Sequence, residues 1–172
     1  MRNEGAPDWL PDLIHFDWND YDDCLECAYN LFERDFGTQK ARPLFRGKRM
    51  GLKRHPEFAG KSATFWHFVT AGRTEAERTP VRERIERIAW PKALLVEAGA
   101  ADARVHVWSD TRRRRTHGKS LRWLVALTDF SYIVVVDERA DYVLPWTAYP
   151  VEQDHRRRKL EREYGEWKPS QS

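Results

Sequence analysis

The chain has 172 residues, and its composition of 41% hydrophobic and 13% aromatic residues is too rich for a disordered protein. Charged residues make up 33% of the chain but nearly cancel to a formal +3, so the placement of charge is more informative than its sum. The length suits one domain over residues 1–172, and the absence of a stretch near ~20 apolar residues or of a signal peptide leads us to expect a cytoplasmic protein without a membrane partner.

The first part of the chain, up to residue 98, is predicted to be mainly helical. Residues 1–11 form a polar lead with two prolines, which we expect to be disordered. Helical spacing runs from Tyr21 to Phe36, and Gly37 follows at the position where a left-handed cap is favoured. The helix contains a lone C-x-x-C pair. Because a zinc site would need two further ligands, we interpret these cysteines as helix-packing residues.

Breaks and a second helical stretch follow. Glycines and prolines recur among the cations of residues 42–60, which predicts one or two short strands joined by turns. Thr79 and Pro80 have the chemistry of a helix start, since threonine caps a helix and proline suits its first turn. Trp90-Pro91 should interrupt this helix before it resumes over residues 92–98.

Residues 104–149 are predicted to form an antiparallel sheet of about four strands, of which residues 104–108 are the first. Apolar side chains alternate from Leu121 to Leu127 with the period of a strand. Tyr132 to Val136 is nearly continuously apolar, as in a central strand covered on both faces. In the returning strand, Tyr142 to Tyr149, a proline at 145 cannot donate a ladder hydrogen bond, which predicts an edge position or a bulge.

Helices that precede an antiparallel sheet indicate the α+β class. We expect the helix that starts near Thr79 to pack on one face of the sheet, because it carries an apolar stripe. A basic helix over residues 152–164 is predicted to close the chain.

Positive charge is concentrated in tight clusters, of which two lie at residues 112–115 and 156–159. Uneven placement of this kind suits a polyanion better than a small neutral ligand. Each cluster also has a simpler interpretation. The first can be a solvated loop, and the second alternates with glutamates on a helix, where i,i+4 pairing would account for it.

Three blocks carry a resemblance to a known group of enzymes. They are Phe65-Trp66-His67-Phe68-Val69, the arginine-studded helix Arg82 to Trp90, and Lys119 to Tyr149 with the basic tail to Tyr164. Together they resemble the barnase/EndoU/colicin/RelE superfamily of small metal-independent RNases, particularly its phage-borne members. The resemblance implies a toxin-like endoribonuclease that cleaves RNA by attack of the 2′-hydroxyl, with no metal or other cofactor, and an inhibitor of the immunity or antitoxin type as a partner.

The same resemblance implies a set of catalytic residues. His67 would be the principal acid/base group, Thr147 a hydroxyl that contacts the phosphate, Tyr149 a stacking or hydroxyl partner, and Arg73 or Lys119 the charge stabiliser. Imidazole suits proton transfer near neutral pH, and a guanidinium binds phosphate oxygens through two parallel hydrogen bonds. The scattered histidines lack the spacing of a metal-ligand set. The residues expected to hold RNA are Arg112, Arg113, Arg114, Arg115, His117 and Arg156, with His117 also a second acid/base candidate.

Each assignment has an alternative. His67 lies among aromatic residues and can be a core histidine with one satisfied nitrogen, and Thr147 can simply be a good strand former. Two hypotheses about function therefore remain open. One is an RNA-cleaving enzyme, and the other is a non-catalytic nucleic-acid-binding or protein-interaction module on the same fold.

Overall fold

The computed structural model describes residues 5–110 and 121–168. The fold is α+β, with five α-helices and a mixed five-stranded sheet in the described part of the chain. No helix in these ranges is long and apolar enough to cross a membrane. In chain order the elements are α1 (Tyr21–Phe36), β1 (Arg49–Met50), α2 (Ala63–Val69), β2 (Thr70–Ala71), a 3₁₀ turn (Glu75–Glu77), β3 (Thr79–Pro80), α3 (Arg82–Ile85), α4 (Trp90–Ala98), β4 (Val105–Asp110), β5 (Leu121–Leu127), β6 (Tyr132–Glu138), β7 (Tyr142–Pro150) and α5 (Asp154–Trp167).

The main sheet has the order β1-β7-β6-β5-β4. Strands β4 to β7 form the antiparallel meander that the alternation predicts, with Val125 opposite both Val107 and Val134. Strand β6 is central and buried except at its last residue, which confirms the prediction of a strand covered on both faces. The fifth strand, β1, comes from the loop region before α2 and pairs in parallel with the first two residues of β7.

Two hydrophobic cores cover the two faces of the sheet. On one face, α1 to α4 bury a core that includes Phe32, Ile85 and Leu94, all of which have no measurable exposure. On the other face, α5 packs Leu160 against Leu124 and Ile133 in a smaller cluster. The sheet is therefore a middle layer, which explains why its central strand has no polar face.

Helix α1 has the bounds expected from the sequence. Asp20 caps its first turn by accepting a hydrogen bond from the Asp23 N–H at 3.0 Å. Gly37 differs from the expectation of a left-handed cap, because it continues the right-handed helical conformation at φ −62°. Of the two cysteines, Cys24 is buried and donates to the Asp17 carbonyl at 3.1 Å, while Cys27 is exposed.

The prediction that a helix starts at Thr79 is wrong. Thr79 and Pro80 form β3, which pairs with β2, and the Val81 N–H donates to the Val69 carbonyl at 2.9 Å. Helix α3 begins only at Arg82, and Val81 contributes no side-chain cap. The capping residues Thr79 and Pro80 therefore form a two-stranded ribbon instead of a helix start. Pairing with β2 satisfies backbone hydrogen-bonding groups that a helix cap would leave to solvent. The expected interruption is present as the gap between α3 and α4, although α4 already begins at Trp90.

Part of the N-terminal lead expected to be disordered makes defined contacts. Leu10 is only 6% exposed and belongs to the larger core. The Trp90 indole donates to the Pro11 carbonyl at 2.9 Å, and just after the lead the Ile14 N–H donates to the Glu86 carbonyl at 3.0 Å. The two prolines lower the cost of ordering this segment, and its apolar side chains cover α4.

The contact between β4 and α5 predicts that the stability of the protein depends on pH. His106 stacks on Phe130 at 5.0 Å and on Tyr164 at 4.3 Å between ring centroids. Burial lowers the pKa of His106, although a hydrogen bond to the Thr128 backbone acts in the opposite direction. Since the unfolded chain binds this proton more readily, the stability is present above the ordinary histidine pKa of about 6.5 and is lost as the pH falls below it.

We therefore expect His106→Phe to flatten the decrease in Tm between about pH 7 and about pH 5. Thermal denaturation across this range measures the slope, and His155→Phe on the exposed side of α5 is the control. An equal slope for wild type and His106→Phe would show that folding does not shift the pKa of His106.

Candidate functional site

A β-bulge in β7 organises the candidate site. Val135 pairs with Thr147 and Val136 with Pro145, so Trp146 is an extra residue without an opposite partner. Beyond Val143 no strand in the described residues pairs with the outer edge of β7. The bulge confirms the sequence prediction that the proline would disturb the ladder.

Helix α2 packs against this edge of β7 and is joined to it by two hydrogen bonds. His67 Nδ1 donates to the Trp146 carbonyl at 3.2 Å, and the Thr147 hydroxyl donates to the His67 carbonyl at 3.0 Å. Helix α2 begins at the Ser62 cap and places four apolar or aromatic neighbours of His67 in the core. The side chain and the backbone carbonyl of His67 therefore both fix α2 at one position along β7.

The second ring nitrogen of His67 contacts a carboxylate. Nε2 lies 2.7 Å from Oε1 of Glu75, which is on the 3₁₀ turn between β2 and β3. The His67 side chain is only 3% exposed, whereas that of Glu75 is 50% exposed. Because Nδ1 already donates its proton to a carbonyl, the short contact requires one proton between Nε2 and the carboxylate.

Burial and charge act on this pair in opposite ways. Burial lowers the pKa of His67, as do the cations of Arg78 and Lys53, and the hydrogen bond from Glu75 only partly offsets them. Partial burial raises the pKa of Glu75, but its hydrogen bond with His67 and the same two cations outweigh that effect and lower it. The protonation of each group therefore depends on that of the other.

Two arginines bind the carbonyl end of α2. Arg78 donates to the hydroxyl and the carbonyl of Thr70 at 2.9 and 2.8 Å. Arg84 donates to the same carbonyl at 2.6 Å and to the His67 carbonyl at 3.2 Å. Burial lowers the pKa of both arginines, yet a guanidinium stays protonated in proteins. The negative end of the helix thus brings two positive charges next to His67.

These groups line a cleft of about 460 Å³. On its far side, Arg156 of α5 donates to the Tyr149 hydroxyl at 3.1 Å, and the Arg84 guanidinium lies 5.1 Å from the centre of the Tyr149 ring. Within residues 5–110 and 121–168, no carboxylate oxygen lies within 4 Å of the guanidinium nitrogens of Arg78, Arg84 or Arg156. Among the described residues, one acidic residue lines the cleft, the exposed Glu152. The cleft therefore has an excess of positive charge suited to an anion.

A second cavity of about 390 Å³ continues the cleft along β7. It shares four lining residues with the first, namely Trp146, Thr147, Tyr149 and Arg156. Its other polar groups have both signs and include Arg122, Lys159 and Glu163. The two cavities therefore adjoin each other at these four residues of β7 and α5.

The structure brings together some of the predicted site residues and separates others. His67, Thr147, Tyr149 and Arg156 all line the cleft. Arg73 does not, because it lies exposed in the turn after β2. Several further predictions fall outside the described residues, and these concern Lys119, His117, Arg112, Arg113, Arg114 and Arg115.

Sequence reasoning missed Glu75, Arg78 and the particular role of Arg84. The only signal was the density of arginines around Arg84, which does not distinguish the half-buried arginine from the exposed Arg82 two residues earlier. Within the described ranges, no three histidine, cysteine or acidic side chains are placed to hold a metal ion.

Comparison with known proteins identified no relative of this chain. A scan against family models and searches of curated proteins and of solved structures found no match. The geometry of the cleft is therefore the basis on which a function can be proposed.

The charge of the cleft predicts that inorganic phosphate stabilises the protein. At about ten times its Kd, phosphate should add about 1.4 kcal/mol, which corresponds to a rise in Tm of about 3–6 °C. Arg156→Gln should reduce the rise, and Arg158→Gln, exposed on the same helix but outside the cleft, should not. Thermal denaturation at constant ionic strength gives the comparison, and equal shifts for the two variants would place the bound phosphate elsewhere.

Gly72 provides a test of how the loop that bears Glu75 and Arg78 is positioned. A Cβ at Gly72 would lie 2.7 Å from the Arg78 Cα and 2.8 Å from its backbone nitrogen, so Gly72→Ala must displace the loop that bears Glu75 and Arg78. We expect a loss of about 1–3 kcal/mol of stability and a smaller phosphate-induced rise in Tm. Gly165→Ala is the control, because its Cβ meets no atom within 4 Å. A Gly72→Ala protein with unchanged stability and phosphate response would contradict this role for Gly72.

Proposed function

We propose that the protein is a metal-independent endoribonuclease whose cleft binds the scissile phosphate of RNA. The observation that supports this most directly is the set of three guanidiniums around Thr147, Tyr149 and His67 that have no carboxylate partner in the part of the chain that the structure describes. Positive charge of this kind, close to hydroxyl and imidazole groups, suits a phosphodiester whose negative charge increases in the transition state.

Arg84 and Arg78 are the proposed charge stabilisers in this scheme. Their positions are fixed in advance by the carbonyl end of α2, so little reorganisation is needed when the phosphorane forms. Arg156 and Tyr149 would bind the phosphate from the opposite wall. The Tyr149 hydroxyl accepts from Arg156 and so can direct its own proton towards a phosphate oxygen.

Proton transfer is assigned to His67 together with Glu75. Cleavage by a 2′-hydroxyl requires one group to accept its proton and one to protonate the leaving 5′-oxygen. An imidazole hydrogen-bonded to a carboxylate can accept a proton when neutral and donate one when protonated. In this proposal His67 is the acid/base group, and Glu75 sets its protonation.

The proposal extends to the cellular setting. The substrate would be cellular RNA in the cytoplasm, as in toxin-like or phage-borne nucleases. Since such an activity would damage the cell that makes it, an inhibitor protein that covers the cleft is part of the same proposal.

One observation favours a second candidate, a non-catalytic RNA-binding module. Both ring nitrogens of His67 are hydrogen-bonded and the residue is only 2% exposed, as expected for a structural histidine. The same cleft would then bind a phosphate without cleaving the chain. Both candidates predict RNA binding that weakens with salt, and only the first predicts turnover.

The deciding experiment is cleavage of single-stranded RNA in EDTA, with analysis of the product ends. We expect 2′,3′-cyclic phosphate or 3′-phosphate ends from the wild-type protein. His67→Asn should reduce the rate by about two to four orders of magnitude, the range of general acid/base catalysis. The asparagine amide can still donate to the Trp146 carbonyl, so the fold should be retained.

The control is His155→Asn, a change of the same kind at an exposed site on α5. It should cleave at the wild-type rate, and Tm values for both variants show whether each is folded. A His67→Asn protein that cleaves normally per folded molecule would remove His67 from the mechanism. A wild-type protein that binds RNA and never cuts it would establish the binding module instead.

A further inference from the structure

An apolar groove lies on the other side of the 3₁₀ turn from the cleft. It has a volume of about 780 Å³, and its walls come from α1, α2 and the loop before α2. We name it the α1–α2 groove and define it by Tyr21, Leu25, Phe58 and Trp66. Its size and its apolar lining are those of sites that bind side chains or small ligands.

Phe58 is the most exposed large hydrophobic residue that lines this groove. Its side chain belongs to a residue that is 69% exposed, yet its backbone is fixed because its carbonyl accepts from the Trp66 indole at 2.9 Å. The two rings also meet edge to face, with centroids 5.4 Å apart. A rigid, exposed aromatic side chain beside an apolar cavity is typical of the anchor of a protein interface.

The charge around the groove selects the kind of partner. Three carboxylates line it, from Asp22, Glu57 and Glu75, against one guanidinium, from Arg78. Arg78 directs two of its donors to Thr70, and within the described residues neither Asp22 nor Glu57 has a cationic group within 4 Å. The groove is therefore negative in a chain whose formal charge is +3. A basic segment would be attracted here and repelled by the cleft.

Glu75 connects the groove to the cleft. Its carboxylate lines the groove and bonds to Nε2 of His67, which lines the cleft. A cation that enters the groove would compete with His67 for this carboxylate. Binding on one side of the turn thus changes the hydrogen bonding of the imidazole on the other side.

We propose that the α1–α2 groove docks a segment of a partner protein in which lysine or arginine alternates with aliphatic residues, and that docking acts on the cleft through Glu75. The aliphatic side chains fill the cavity against Phe58 and Trp66. The basic side chains contact Asp22, Glu57 and Glu75. Only the effect on the cleft rests on the proposed function, since the docking itself requires no RNA.

The test uses a blocked hexapeptide of alternating leucine and lysine, titrated into the full chain by calorimetry at about 0.15 M salt, where distant charges are screened. We expect saturable binding at one site. Two control peptides, with glutamate in place of lysine or serine in place of leucine, should not bind.

Variants locate the site. Phe58→Ser should weaken binding about tenfold or more, since a buried phenylalanine contributes roughly 1.5–3 kcal/mol. Glu57→Gln should weaken it about threefold, in the range of one exposed ion pair. Asp23→Asn is the matched control, because Asp23 lies on α1 next to Asp22 but does not line the groove. Because Phe58 and Glu57 are exposed, both variants should keep the wild-type Tm.

Other results would contradict the proposed docking of a basic partner segment. Equal binding by wild type and Phe58→Ser, or an effect of Asp23→Asn as large as that of Glu57→Gln, would overturn the docking site. Binding of the glutamate peptide would overturn the choice of a basic partner. A wild-type dimer that Phe58→Ser converts to a monomer would assign the groove to a second copy of this chain.

The coupling has its own readout. The NMR signals of the His67 ring, assigned with His67→Asn, should shift when the leucine-lysine peptide binds, while those of His155 stay unchanged. Glu75→Gln should abolish the shift. A peptide that binds without moving the His67 signals would overturn the coupling alone. Because neither measurement contains RNA, failure of the ribonuclease proposal is recognised separately.

Discussion

The extra residue in β7 is the constraint on which the candidate site depends. Before the bulge, the buried positions of the strand are Val143 and Pro145, and after it the buried position is Ala148. The alternation of faces therefore changes by one residue at Trp146. In an unbroken strand Thr147 would continue the buried series that Val143 and Pro145 begin. The bulge turns Thr147 and the residue two further on towards the cleft, and it leaves the Trp146 carbonyl for His67.

The same constraint explains why the cations collect where they do. Once α2 is fixed against β7, its terminal carbonyls face the gap between the strand and the loop after β2. Carbonyl oxygens in a half-buried place need donors, and Arg78 and Arg84 supply them without adding carboxylates. A structural requirement of the helix end thus produces a positively charged wall. The same two arginines serve the fold and are available to an anion, which makes the stability of the loop and the occupancy of the cleft interdependent.

The sequence predicted the elements whose period is set by a single packed face. The alternation in Leu121 to Leu127 and the helical spacing of α1 reflect burial directly. Pro145 indicated a bulge or an edge because proline lacks the N–H that a sheet hydrogen bond needs. The prediction of a helix start at Thr79 was wrong because the preceding strand β2 pairs with Thr79 and Pro80, and the helix propensity of these two residues carries no information about that pairing. Glu75 and Arg84 were missed for a related reason. Charged residues are normally exposed, so a pattern of hydrophobicity cannot reveal which of them the tertiary fold brings into a cleft.

The shortness of β1 affects how the protein meets other chains. An open strand edge is a template for pairing with another molecule, which can lead to aggregation. Here β1 covers only the first two residues of β7, and helix α2 rather than a strand lies against the later part of that edge. A helix offers no ladder to extend, so that edge is closed to strand addition while its side chains still reach solvent. On the β7 side of the sheet, an accessible cleft therefore lies beside an edge that does not invite pairing with another strand.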